Sequence, residues 1–264
     1  MLFAIKNLHV YGANLIMNDI VAGLPSPLAF LGFADALCRE RGVTPWSARI
    51  LPILHEVHVC EGRTRAEMVP KNNKFKPQEI VEDLRGHIKI SMFIDLAEEN
   101  SDSSIDKAIK LKTFAGGVIN HLKKYSVEQI ASDSLALKSI PRGRVMVPPK
   151  NSEWCYATDG HQEEDLKLLV ERLILKNKDT PQGWFIPSSV GYKLLEDPSS
   201  VPERKFTRTK LLPHVFVEPL TSIAELVSVR HPRLKELDEN EFLSLFWHWN
   251  VRSDYMLGHS NYYI

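Results

Sequence analysis

Three runs of apolar and β-forming residues constrain this chain more than any other feature: 2–15 (LFAIKNLHVYGANL), 50–60 (ILPILHEVHVC) and 85–96 (RGHIKISMFIDL). Their composition predicts strands, the first bent at Gly12. Between the first two lies the clearest helix. Gly23 to Pro27 supply a turn, Ser26 is placed to cap, and Pro27 suits the first helical position, where its missing N–H costs nothing. Leu28, Leu31 and Ala34, flanked by Phe30, Phe33 and Leu37, form a broad apolar face at helical spacing. Arg39 and Arg41 favour the negative end of the helix dipole, and Gly42 stops the helix.

The other segments hang on this frame. Residues 61–84 read as a basic hairpin or arm projecting between the second and third strands. Residues 104–124 begin helix-like and break at Gly116-Gly117, where a tight turn or close backbone approach is expected. A strand is expected at 142–149, an amphipathic helix over 162–176, strand and turn at 183–195, and a last helix over 239–249. The order predicts an α+β sandwich with helices on one face of a mostly antiparallel sheet, compatible with a ferredoxin-like core plus insertions. The division follows: 1–125 a core with its basic arm at 61–84, 126–182 an inserted or variable segment, and 183–264 a C-terminal part packing on the core.

Charge narrows the function. Lys+Arg and Asp+Glu both number 33 in 264 residues, so any polyanion contact must come from local clusters rather than from an overall basic body. Cys38, Cys60 and Cys155 are far apart with no CxxC pair, which suits a reducing cytoplasm and argues against a structural zinc site. The N-terminus lacks the pattern of an export signal, and the longest uncharged run, 20–34, is interrupted by Pro25 and Pro27. A cytoplasmic protein without a membrane partner is expected.

Chemistry of the common enzyme families is not visible. There is no GxSxG, phosphate loop or dinucleotide fingerprint. On a regular strand His55 would face away from His58 and Cys60, which leaves no metal constellation. Neither catalytic residues nor a cofactor are expected. The strongest signal is a pair of basic clusters. Arg63, Arg65, Lys71, Lys74 and Lys76 stand with Asn72, Asn73 and Phe75 among them, a mixture that holds phosphates and touches base faces. In 204–210, strand alternation would put Arg204, Phe206, Arg208 and Lys210 on one face; together the clusters suggest a localised polyanion track. RGHIKISMF partly matches the RNA-recognition-motif strand signature, with His87 and Lys89 at the aromatic positions. Phe242, Phe246 and Trp249 fall at helical spacing and read as core.

Several segments together resemble one family. GLPSPLAFLGFADAL (23–37), EGRTRAEMVPKNNKFKP, RGHIKISMFID, FAGGVI (114–119) and GWFIPSSVGYKLL (183–195) are similar, in order and spacing, to segments of the crRNA 5′-end-binding subunit of type I-F (Csy-type) CRISPR surveillance complexes, a relative of the fifth numbered Cas family. The resemblance implies an RNA-recognition-motif-like core of the repeat-associated (RAMP) superfamily with a thumb-like hairpin. It also implies a non-catalytic role, holding the repeat-derived 5′ handle of the guide RNA, capping the crRNA-bound filament, and meeting backbone subunits, a large subunit and target DNA. Arg63 and Arg65 fall in the matching arm, and Ser26, Gly116 and Gly117 in the matching turns. The middle, 126–180, is shorter than in typical members and marks a shortened variant. RNA-cleaving relatives use a histidine near the first helix; residues 24–50 hold none, although His9 and His55 lie outside that stretch. The alternatives in the same system are a repeating backbone subunit and a repeat-RNA-processing endoribonuclease.

Overall fold

The computed structural model describes residues 1–16, 23–60, 68–77, 84–96, 105–110, 112–130, 135–148, 167, 183–201, 203–205, 207 and 214–260. The three apolar runs are strands: β1 (Leu2–Asn14), β2 (Arg49–Val59) and, after the hairpin β3 (Met68–Lys71) and β4 (Lys74–Pro77), β5 (Arg85–Asp95). Helix α1 (Pro27–Glu40) follows β1, and the short α2 (Ile105–Lys110) follows β5. Then come β6 (Thr113–Phe114), β7 (Gly117–Ile119), β8 (Ser126–Ile130), α3 (Leu135–Lys138) and β9 (Arg144–Val147). The C-terminal part adds β10 (Trp184–Leu194), β11 (Val217–Ser228), a 3₁₀ turn (Pro232–Leu234), α4 (Glu239–Ser244), β12 (Trp247–Val251) and β13 (Tyr255–His259).

Among the described residues, all strands but β3 and β4 belong to one 11-stranded sheet. At its centre the order is β7-β1-β5-β2, every neighbour antiparallel. Thus β5 lies between the two strands joined through α1, and β1 lies between β5 and the β6–β7 hairpin that follows α2. Strand β2 bonds β9 at Ile53 and Leu54 but β12 at Ile50, so β2, β9, β11, β10, β13 and β12 close on themselves. Closure wraps the C-terminal strands around α1, whose Phe30, Leu31, Ala34 and Leu37 share a core with Ile50, Ile90, Met92, Val190, Trp247 and Leu257. The C-terminus of α1 ends as Gly42 requires: Gly42 has φ +68, and Val43 N–H donates to the Cys38 carbonyl at 2.9 Å.

The expectation of helices on one face is corrected. Leu2, Ala4, Leu51, Ile53 and Phe93 point to the opposite face, where Ala136 and Leu137 of α3 and Phe242 of α4 bury them. The sequence carries the reason: ILPIL and SMFI are apolar on both strand faces and need cover on both.

Other expectations are also revised. Ser26 sits at the N-cap in extended conformation, yet its hydroxyl makes no capping bond; its carbonyl accepts the Ala29 N–H at 3.0 Å. Residues 113–119 form a β-hairpin instead of continuing the helix, although the turn falls at Ala115 (φ 47) and Gly116 (φ +71) as expected. A Cβ on Gly117 would lie 2.7 Å from the Tyr11 oxygen, so glycine is what lets β7 approach β1. The last helix stops at Ser244, and Trp249 belongs to strand β12 instead of a helical stripe, whereas Phe242 and Phe246 are core as expected. Residues 184–194 are one strand without a turn. The expected helix over 162–176 lies outside the described residues save Lys167.

Candidate nucleic-acid interface

The arm emerges from the end of the sheet where β2 finishes and β5 begins. Its described part is a hairpin turned by Asn72 and Asn73, both left-handed (φ 54 and 58), as a two-residue loop joining twisted strands demands. Register places Lys71 opposite Lys74 and Val69 opposite Lys76, so the three lysines share one face. Pro70 opposite Phe75 and Met68 opposite Pro77 mark the other face, with Phe75 70% exposed. Like charges directly opposite are destabilising. The hairpin tip keeps them with no acid in its described strands, which leaves a local concentration of positive charge.

On the sheet face away from α1, no helix or strand among the described residues covers the half nearest the arm. Val10, Ile88 and Val57 turn toward α1, which sends their neighbours His9, Lys89 and Glu56 to the open side in one cross-strand row. His58 and His87 face each other in the next row, with Tyr11 edge-on to His87 at 4.9 Å between ring centres. Val118, across from Tyr11 on β7, extends the row. Gly12 N–H donates to His87 Nδ1 at 3.3 Å, which fixes the ring at the β1 bulge. His87 and Lys89, the residues at the recognition-motif positions, thus do project from an open sheet face.

A β-bulge overturns the parity argument for His55. Register shifts between Leu54 and Glu56, so His55 turns to the same side as Glu56 and His58. Its Nε2 and the Ser91 hydroxyl lie 2.6 Å apart, its Nδ1 is 2.6 Å from the Arg142 carbonyl, and Asn7 N–H donates to Ser91 Oγ at 3.0 Å. Burial, more than any charge, holds His55 below the usual histidine range; Lys89 and His9 push the same way, against the Arg142 bond and Glu56. His9 is also lowered, by burial first and then by Lys123 and Lys89, with Glu56 opposing. No three His, Cys, Asp or Glu side chains among the described residues could hold a metal ion.

The expected site residues divide. Lys71, Lys74 and Lys76 share the hairpin face. Ser26, at the start of α1, and the Gly116-Gly117 turn lie at the same end of the sheet as the arm, since β1 ends and β5 starts there: Asn14 pairs with Arg85 and its N–H bonds the Ala115 carbonyl. Arg63 and Arg65, and with them Arg208, Lys210 and Phe206, lie outside the described residues. The second cluster is corrected at Arg204: it is not on a strand, its guanidinium pairs with Glu196, and it stacks on Phe216 at 4.2 Å. Moreover, it sits where β10 ends and β11 begins, the end of the sheet away from the arm. The β10–β11 ribbon spans roughly 30 Å, so Arg204 and the arm do not form one track. Sequence reading missed Tyr11 and the His9–Lys89–Glu56 row because the bulges that orient them leave no mark in composition.

The family model described as CRISPR-associated protein (Cas_Csy2) matches residues 3–149 and 154–259. The chain belongs to the Cas_Csy2 family. As a Csy-type Cas protein it is a subunit of a multi-subunit CRISPR complex, in agreement with the resemblance read from the turns and the arm. No curated protein matches it. The match runs through the hairpin, the open face and the strands that close around α1, so all three are features of a Cas_Csy2 chain. No helix among the described residues is long and apolar enough to cross a membrane.

Proposed function

We propose that this Cas_Csy2 chain is the non-catalytic subunit of a type I-F interference complex that grips the 5′ handle of crRNA and caps the crRNA-bound filament. The observation that carries it is the hairpin face on which Lys71, Lys74 and Lys76 stand together without a carboxylate. The open face with Tyr11, His87 and Lys89 beside it offers ring surfaces and a cation to splayed bases. The order β7-β1-β5-β2 with α1 and α2 as crossovers supports reading the centre as the ferredoxin-like, RNA-recognition-motif-like core of the repeat-associated superfamily.

The test is binding of single-stranded repeat RNA by anisotropy across a salt series. Replacing Lys71, Lys74 and Lys76 by Ala should weaken binding and lower the salt slope by about 2, since each phosphate left without its cation on a single strand takes away about 0.7. An unchanged slope rejects the assignment. Arg63→Ala with Arg65→Ala should likewise weaken handle binding or complex assembly. Native mass of the reconstituted complex separates a cap, at one copy per guide, from a repeating backbone subunit.

One observation favours a second reading, a repeat-RNA endoribonuclease: on the open face beside Lys89, burial first and then Lys123 and Lys89 lower His9, the direction that favours the unprotonated form a general base needs. Cleavage of labelled repeat RNA that disappears with His9→Ala would establish it.

A further inference from the structure

Next to the open face, β2 parts from its neighbours. Strand β9 bonds β2 only through Ile53–Val145 and Leu54–Arg144, and bonds β11 up to Arg144–Ser228. Beyond those pairs β2 runs on to Val59 against β5 alone, while the chain after Ser228 turns away, His231 N–H closing on the Ser228 carbonyl at 2.9 Å. The gap between them is a cleft of about 630 Å³, within the roughly 300–1,000 Å³ of small-ligand sites.

Its two sides differ in chemistry. Leu24, Leu54, Val57 and Leu226 give an apolar wall. Arg142, Arg144 and Arg230 supply cations, and none of them ion-pairs with a described carboxylate. Glu56, the acid in the lining, is 4.0 Å from Lys89 on the open face. Three guanidinium groups of this kind round one depression make a standing positive potential. Arg144 lies over the Trp184 ring at 5.8 Å. The turn that carries Arg142 is held from β2, because His55 Nδ1 meets the Arg142 carbonyl. Gly143 makes that possible: a Cβ there would come within 2.9 Å of the His55 ring nitrogen and of Ile53. His55 also bonds the buried Ser91 hydroxyl, so one side chain ties the mouth of the cleft to β5.

We propose that this cleft receives one everted nucleotide of a single-stranded RNA that runs past the free edge of β2, its base against Leu54, Val57 and Leu226 and its flanking phosphates on Arg142 and Arg230. The inference rests on the RNA-binding reading above and adds to it a site for one nucleotide. An apolar wall with a guanidinium rim matches the two-part chemistry of a nucleotide; a free inorganic anion would leave the wall unused, and an apolar peptide would leave the cations unused.

The experiment uses the full chain and single-stranded repeat RNA carrying 2-aminopurine at each position in turn. Binding should raise the fluorescence at one position, where the base leaves the stack. Arg142→Gln with Arg230→Gln, both at exposed positions, should abolish that rise, weaken binding about tenfold and lower the salt slope by about 1.4. Leu24→Trp, which fills the cleft without altering charge, should abolish the rise while the RNA stays bound. If wild type binds RNA and no position brightens, or both variants behave as wild type, the cleft assignment is wrong and the RNA-binding reading stands. If the arginine variant binds RNA normally but fails to join its complex, the cleft is a protein site and the inference is overturned. If wild type binds no RNA at low salt, the underlying reading itself fails.

Discussion

Glu225 is 2% exposed in the middle of β11, where an unpaired carboxylate would not be tolerated. It is held three ways: Arg233 donates to both oxygens at 3.0 and 2.8 Å, and Gly183 N–H donates at 2.7 Å. One side chain therefore ties the start of β10 to the 3₁₀ turn. Arg233→Ala should cost about 3 kcal/mol in urea unfolding, because it strands a buried charge. Trp247 makes a comparable anchor. It is fully buried, its indole N–H donates to the Met146 carbonyl at 2.9 Å, and it pairs with Ile50 where the strand circuit closes. Trp247→Ala should lose about 3–5 kcal/mol by the same measurement. Neither anchor is evident from local sequence, since Glu225 and Arg233 look like ordinary surface charges until β11 is found at the interior of a sheet.

At the scale of elements, the hairpin can be separated from the body that carries it. Its lysines are exposed, and its strands pair with each other and with no strand of the large sheet among the described residues. Replacing Lys71, Lys74 and Lys76 by Ala should thus leave the unfolding midpoint within about 0.5 kcal/mol of wild type, or raise it slightly by removing the Lys71–Lys74 repulsion. A large loss of stability would mean that the hairpin is a structural strap. The arm was readable because its composition shifts abruptly between two strand-like runs. Its two-faced character was not readable without the register, which the turn geometry sets. The opposite happened at 204–210, where alternation suggested a cationic strand face and the chain instead pairs Arg204 with Glu196, eight residues earlier.

Across the whole molecule, closure of the strands around α1 places two histidines side by side at the seam. His248 and His259 pair across β12 and β13 with ring centres 6.1 Å apart. Burial first, then the charges of His259 and Arg49, push His248 down to about 4, against a backbone bond to His259; burial lowers His259 as well. Unfolded, a histidine titrates near 6.5. Between those values the unfolded chain binds more protons, so stability is complete above about pH 6.5 and declines as pH falls toward 4. The decline at His248 should be about 1–2 kcal/mol once solvent screening of a half-buried ring is allowed for. Thermal unfolding from pH 7.5 to 4.5 would measure it, and His248→Asn should flatten the curve. A midpoint that rises on acidification would contradict this account.

What the residues determined on their own are the features set by neighbours along the chain: the three strands, α1 with its Pro27 start and Gly42 stop, the turn at Gly116, and a basic arm between two strands. Each depends on side-chain period, on φ preferences or on local charge density, and those act over a few residues. The tertiary structure alone decided which faces of the strands stayed bare. Bulges in β1 and β2 reset the alternation, α3 and α4 packed on Leu2, Ala4, Leu51, Ile53 and Phe93 of the opposite face, and the departure of β9 from β2 opened a cleft ringed by Arg142, Arg144 and Arg230. Arg142 and Arg144 are far apart in sequence from Leu24, Leu54 and Val57 across the cleft. Only hydrogen-bonded register between distant strands brings them together, and no local pattern encodes that register.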